Sequence, residues 1–267
     1  MTKSDNNDQA ERVAATLAAQ HAARARFEPL TGDLALGDLD QAYAAQKALI
    51  RRWETGGRGP LAGWKIALTS KAVQELVGLD HPCVGGIFAS TVHDSPAVVR
   101  RAGFVRLGLE FELCLRLGAD LDTRAGGHTA DSVRAAVDAA VPAFELIEDR
   151  DSDYSKLDAA SLVADNCWCG GIVLGSAGGD WRDLDLATTP VRLDYNGEIE
   201  TATTGAALGN PLNALAWVAD KLADQGRPLR AGQWVMTGST LKTRFPLEGD
   251  RATYAVEGLG SVSVEVV

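Results

Sequence analysis

From Val105 to Leu117 every odd position is apolar, while Arg106, Gly108, Glu110, Glu112, Cys114 and Arg116 fill the even ones. A period of two held over thirteen residues is that of a β-strand, whose successive side chains point to opposite faces. One face of this strand is expected to be buried. The other carries Glu110 and Glu112 side by side, ~7 Å apart at about 3.3 Å per residue. Parallel carboxylates at that spacing repel each other unless they are solvated, protonated or bridged by a cation. An isolated pair of this kind also has a bland reading, a wet face on which Arg106 and Arg116 offset the charge.

A second acidic segment changes that balance. In Val141-Pro142-Ala143-Phe144-Glu145-Leu146-Ile147 the carboxylate of Glu145 sits among apolar residues, where an unpaired ionised group is costly to bury. Three carboxylates with open positions for water or substrate suit a hard divalent ion, Mg²⁺ or Mn²⁺, better than zinc. The four histidines, His21, His81, His93 and His128, form neither H-E-x-x-H nor a close pair, so no zinc site is expected. Glu110, Glu112 and Glu145 are the candidate metal ligands.

Lys65 lies in Gly63-Trp64-Lys65-Ile66-Ala67-Leu68-Thr69-Ser70, flanked by apolar residues on an expected strand. Desolvation there would lower its pKa and suit it to proton transfer; the alternative is a lysine that snorkels to the surface. If Lys65 is structural, Asp80 and Asp165 are the next candidates to carry the proton. Asp165-Asn166, before Cys167-Trp168-Cys169-Gly170-Gly171, also reads as an ordinary turn. Thr237-Gly238-Ser239-Thr240 offers hydroxyls and amides that could hold a carboxylate, or is a plain turn. Thr69, Ser70, Thr237 and Ser239 are the candidate substrate-binding residues.

The segment up to residue 60 reads as helical. An Ala-rich helix is expected from about Asp8 to Arg26, and a second opens at Asp38 with Gln41 three residues on, a capping-box signature. Its stripe of Leu39, Tyr43, Ile50 and Trp53 ends at Gly56-Gly57-Arg58-Gly59-Pro60, the expected boundary with a main domain over 61–267. Beyond it short strands dominate. Asn196-Gly197 marks a hairpin; Asn210, Pro211 and Gly226 frame a helix; and the tail around Glu257-Gly258-Leu259-Gly260 reads as a closing hairpin. The expected fold is α+β, mostly β, behind a small helical segment.

With a formal charge of -10, the chain is not expected to bind nucleic acid or an anionic membrane. No apolar run approaches the roughly 20 residues that span a bilayer, and the first residues do not resemble a secretory signal, so a cytoplasmic location is expected. Cys83, Cys114, Cys167 and Cys169 fit neither a zinc nor a disulfide pattern and read as buried thiols. There is no G-x-G-x-x-G, Walker lysine loop or G-x-S-x-G elbow to support a nucleotide or a serine triad.

In their order along the chain, Gly63 to Ser70, Glu110-Phe111-Glu112, Pro142-Ala143-Phe144-Glu145, Ala164-Asp165-Asn166, Leu208 to Ala214, Thr237-Gly238 and Glu257 to Val262 resemble the fumarylacetoacetate hydrolase superfamily. Within it they resemble the 2-keto-4-pentenoate hydratase and 2-oxo-3-hexenedioate decarboxylase group. Cys83, Trp168 and Asn210 stand where that group usually has Asp, Ser and His. The resemblance implies a mixed β-sandwich roll, Mg²⁺ or Mn²⁺ on the three glutamates, chelation of a small 2-oxo acid or dienoate, and proton transfer by Lys65. It implies a hydratase, with decarboxylation or C–C hydrolysis through the same enolate as alternatives, and a non-catalytic partner subunit as a third. It also implies a homo-oligomer, a dimer or ring of dimers, for which the apolar Val262, Val264 and Val266 would supply surface, and leaves room for a decarboxylase or aldolase partner.

Overall fold

The computed structural model describes residues 3–176 and 178–267, with side chains from residue 6 onward. Two helices open the chain, α1 (Lys3–Ala22) and α2 (Leu39–Trp53). Helix α1 stops short of the expected Arg26, because Arg24 turns left-handed at φ 53° and its guanidinium donates to the carbonyls of Ala102 and Phe104. Helix α2 begins where its capping signature lies: the Asp38 carboxylate accepts the Gln41 N–H at 2.8 Å, and the Gln41 side chain accepts the Gly37 N–H at 2.7 Å. Tyr43, Ile50 and Trp53 are buried, with Leu39 packed beside them. Gly57 and Gly59, at φ 106° and 73°, then turn the chain through conformations that a Cβ disfavours.

The strands and remaining helices follow as β1 (Leu61–Ala67), α3 (Lys71–Leu76), β2 (Cys83–Phe88), β3 (Val92–Asp94), β4 (Ala97–Val99), β5 (Leu107–Leu117), α4 (Ala130–Arg134), β6 (Val137–Glu148), α5 (Ala159–Ala164), β7 (Cys169–Leu174), β8 (Pro190–Tyr195), β9 (Glu198–Thr203), α6 (Pro211–Asp224), β10 (Trp234–Met236), β11 (Arg251–Val256) and β12 (Gly260–Val266). Seven strands form one sheet in the order β2-β1-β10-β5-β6-β7-β3, and five form another in the order β4-β12-β11-β8-β9. The larger sheet curls, bringing β2 at one end back against β7 near the other. The fold is thus the mixed α+β roll expected. Asn196 and Gly197, at φ 54° and 88°, make the β8–β9 hairpin, and Asn210 caps α6 by accepting the Leu212 N–H.

Strand β5 departs from expectation in one respect. Its odd face is buried: Leu107, Leu109, Phe111, Leu113, Leu115 and Leu117 join the main core, where Phe111 meets Phe144 of the neighbouring β6 and Tyr254 of β11 in the second sheet. Each fully buried leucine contributes roughly 1.5–3 kcal/mol. The even face, however, is not wet. Gly108, Glu112 and Cys114 are buried, Glu110 is half-buried, and only Arg116 is exposed. A central strand of a curled sheet turns its second face into the roll, where Ile87, Cys114, Val141, Ala143, Ile172 and Met236 form a separate apolar cluster. Arg106 and Arg116 do not offset the glutamates either, since they pair with Asp149 and Asp138.

Val262, Val264 and Val266 are buried within the protomer. They face the core of this chain and supply no oligomer surface, because alternation along β12 turns all three inward. Residues of α1 and α2 belong to the same apolar cluster as β5. The four cysteines are free and buried. No helix among the described residues is long and apolar enough to cross a membrane.

Candidate active site

The antiparallel register of β5 and β6 places Glu110 directly opposite Glu145, with Glu112 opposite Ala143. Two residues apart on β5, Glu110 and Glu112 share the inner face with Glu145, and one carboxylate oxygen from each of the three lies within 4.8 Å of the others. Like charges directly across a ladder are destabilising, so this arrangement calls for a counter-charge. Glu112 Oε2 accepts the Gly238 N–H at 2.7 Å, and Glu110 Oε1 accepts the Thr243 hydroxyl at 2.6 Å. Gly238 is required there: at φ 100° its missing Cβ would stand 2.8 Å from Thr69 Cγ2.

Glu112 Oε1 and Glu145 Oε2 are buried without a hydrogen-bond partner, and Glu145 Oε1 has only an ion pair with Lys65. Burial, then the charges of Glu145 and Glu110, raise the Glu112 pKa well above the ordinary carboxylate value. Burial likewise pushes Glu145 up to about 7, with Lys65 pulling the other way. Unsatisfied carboxylate oxygens, converging from two strands, are a donor set that fits a hard divalent cation.

Lys65 comes from β1, whose neighbour β10 lies between it and β5. Its partner in β10 is Met236, itself opposite Cys114, so the lysine shares the inner face with the glutamates. Its Nζ lies 2.9 Å from Glu145 Oε1, a buried ion pair. The snorkelling alternative is excluded by its 3% exposure. The expectation of a lowered pKa is also corrected: burial, the largest single influence, lowers it, but the negative groups around the ammonium, Glu145 first and then Cys167, Cys169 and Glu110, together outweigh burial and the net shift is upward. Lys65 is therefore a protonated ammonium beside its counter-ion.

A cavity of about 710 Å³ opens at this point. Lys65, Glu110, Thr69, Ser70 and Ser239 line its polar part, and Leu68, Ile147, Leu157, Leu162 and Trp168 an apolar wall. Glu112 and Glu145 are fully buried behind Glu110. The hydroxyl-rich loop serves the protein more than a ligand. Thr237 is outside the lining and donates to the Leu113 carbonyl at 2.6 Å, while the Ser239 hydroxyl donates to Leu241 and accepts from Phe111. A loop that carries the sheet onward past β10 spends its polar groups on the adjoining β5 backbone.

Neither reserve proton carrier reaches the cavity. Asp80 is exposed in the loop before β2. Asp165 is buried, but Arg150 Nη2 holds one oxygen at 2.7 Å and His21 Nε2 the other at 2.6 Å, so its charge is consumed in a structural ion cluster. Just after it, Asn166, Cys167 and Trp168 all have left-handed φ, at 54°, 50° and 57°. Such backbone is costly for residues with a Cβ. It is held by Asn166, whose side chain exchanges two hydrogen bonds with the Gly86 backbone at 2.7 and 2.8 Å, and it sets Cys167 and Trp168 into the cavity wall. Thr243, an isolated Thr, carries no motif that would mark it as a site residue, and Trp168 stands out only as the residue found where the related group usually has Ser.

The family described as fumarylacetoacetate (FAA) hydrolase C-terminal matches residues 70–267. The chain belongs to the fumarylacetoacetate hydrolase family. A relative in this family, 2-keto-4-pentenoate hydratase 1 of Dechloromonas aromatica (strain RCB), is 37% identical over 254 residues, 95% of each chain. The 2-hydroxyhexa-2,4-dienoate hydratase of Comamonas testosteroni is 32% identical over 240 residues, 89% of each chain. Among solved structures, 4-oxalocrotonate decarboxylase from Pseudomonas putida G7, complexed with magnesium and adipate, superposes with a TM-score of 0.90 at 28% identity, covering 100% of this chain and 99% of that one. That likeness extends over the helical segment as well as the sheets, whereas the family match begins at residue 70.

Proposed function

We propose that this chain is a Mg²⁺-dependent hydratase that adds water to a 2-hydroxy-2,4-dienoate or its 2-oxo tautomer, a product of aromatic ring cleavage. The observation that carries the reading is the convergence of Glu110, Glu112 and Glu145 on one face, with partnerless buried oxygens and the Lys65 ammonium 2.9 Å from Glu145. The hydratases among its relatives support the choice of reaction. When bound to the three glutamates, the ion supplies a Lewis acid for the carboxylate and 2-oxo oxygens of the substrate. Lys65, already protonated and lining the cavity, delivers its proton from Nζ to the substrate carbon and takes back the proton that the enol hydroxyl gives up as the dienol becomes the ketone, and Glu145 holds the ammonium in place for that step. Thr69 and Ser70 offer hydroxyls to the substrate from the same wall.

The likeness to 4-oxalocrotonate decarboxylase over the whole chain favours decarboxylation of a related 2-oxo acid as the second reading. Both begin from the same charge stabilisation at the 2-oxo oxygen. Purified protein with Mg²⁺ and 2-hydroxypenta-2,4-dienoate should bleach the dienol absorbance and yield a product heavier by one water. Chelator should stop the reaction. Carbon dioxide released from 2-oxohex-3-enedioate, with no hydration of the dienoate, would decide for the second reading, and no metal-dependent turnover of either would sink both.

A further inference from the structure

The apolar wall lies where the tail of a bound acid must go. Ile147 is on β6 two residues beyond Glu145, and its ladder partner Gly108 lies two residues before Glu110 on the antiparallel β5, so the wall begins ~7 Å from the carboxylates along the inner face. Leu68, Leu157, Leu162 and Trp168 complete it, forming one buried cluster with Phe27. Trp168 is fixed in the wall by edge contacts to Phe27 and Tyr154, with ring centroids at 5.1 and 5.7 Å, and by its left-handed backbone.

Charge in the cavity is distributed against a second anion. Of the two lysines that line it, Lys65 is paired with Glu145 and Lys242 is exposed. Glu200 adds a negative charge, paired with Arg244. The Tyr154 hydroxyl is spent on Asp149 at 2.9 Å. Among the described residues, the apolar wall offers one buried side-chain N–H without a partner, the indole Nε1 of Trp168, and one neutral N–H does not compensate a desolvated carboxylate.

We infer that Trp168 and the leucine–isoleucine wall select the substrate's tail, admitting 2-oxo acids and dienoates with an uncharged, apolar end and rejecting those that end in a second carboxylate. This rests on the reading that the carboxylate and 2-oxo end of the acid sits at the three glutamates. The wall favours methyl- or longer alkyl-ended dienoates over the unsubstituted five-carbon compound, since each added methylene leaves water for an apolar surface.

The test uses Mg²⁺-loaded protein and three saturated, unreactive probes: 2-oxopentanoate, 2-oxohexanoate and 2-oxoadipate, titrated by calorimetry. From 2-oxopentanoate to 2-oxohexanoate the affinity should rise about fourfold, the value of one buried methylene. 2-Oxoadipate should bind roughly tenfold or more weakly than 2-oxohexanoate. Leu157→Arg, with its fold checked by circular dichroism, should reverse that second order; the ranking in the unsubstituted protein stands as a test even if this variant does not fold. If all three bind but 2-oxoadipate equals or exceeds 2-oxohexanoate, tail selection is wrong and the metal-site reading survives. If the probes bind equally well to Glu112→Gln, or none binds at all, the reading of the glutamate site fails and takes the inference with it.

Discussion

Lys65 and Glu112 carry opposite kinds of burden at the site. Lys65 has a role that a side chain of similar length without a proton cannot fill: Lys65→Met should lose roughly two to four orders of magnitude in turnover at saturating Mg²⁺. Calorimetric Mg²⁺ affinity should hold or rise, because one cation beside the ligands is gone. Retention of turnover within a factor of ten would make the lysine structural. Glu112 is a cost to the metal-free fold, buried at 0% exposure with one oxygen partnerless and two like charges beside it. Glu112→Gln keeps an acceptor for the Gly238 N–H and removes the charge, so the metal-free variant should gain about 1–2 kcal/mol of stability. Mg²⁺-dependent activity should vanish in the same variant. Urea unfolding in chelator, set beside an activity assay, checks both halves; a variant less stable than the parent would contradict the account of Glu112 as a strained ligand.

At the scale of elements, the left-handed turn after α5 links the helical segment to the cavity wall. Asp165 anchors it by pairing with Arg150, which is 1% exposed, and with His21 of α1. Removing one member of a buried pair strands the other charge, so Asp165→Ala should cost about 3–5 kcal/mol in urea unfolding. If Asp165 only positions the turn, kcat of the fraction that remains folded should fall far less than in Lys65→Met, and a comparable loss in a fully stable variant would make it catalytic. This turn was also the least legible part of the chain. Asn166 and the run to Gly171 look like any polar turn, and nothing in Cys167 or Trp168 announces positive φ. By contrast Asn196-Gly197, whose residues do tolerate that region, marked its hairpin plainly. Strand β5 was legible because period two is a local property, whereas its burial on both faces depends on how the whole sheet curls. The pairing of Glu110 with Glu145 joins residues 35 apart through a ladder register that no local pattern records; only the cost of a buried carboxylate hinted that Glu145 needed company. The raised pKa of Lys65 was missed for the same reason, since the groups that outweigh its burial, Glu145 foremost with Cys167, Cys169 and Glu110, are all distant in sequence.

For the molecule as a whole, the glutamate cluster links stability, pH and metal. Without metal, Glu145 titrates in the folded protein near 7 against an ordinary value of 4.5. A carboxyl whose folded pKa is raised contributes stability that is fully present below its unfolded pKa and is lost as pH rises through the folded one. The metal-free protein should therefore lose stability from this group between about pH 4.5 and a little above 7, and Glu112, shifted upward as well, acts in the same direction. Mg²⁺ binds the deprotonated carboxylates, so its affinity and its stabilising effect must grow over the same window. At free Mg²⁺ about a hundredfold above Kd the gain is ~2.7 kcal/mol, which in a domain of this size raises Tm by roughly 5–11 °C. Scanning calorimetry with Mg²⁺ or chelator at pH 5.5 and pH 8 isolates the effect, because other titrating groups contribute equally to both members of each pair. The Mg²⁺-induced shift should be several-fold larger at pH 8, and absent from Glu112→Gln at either pH. A shift that is the same at both pH values, or larger at pH 5.5, would mean that the ion does not sit on these carboxylates.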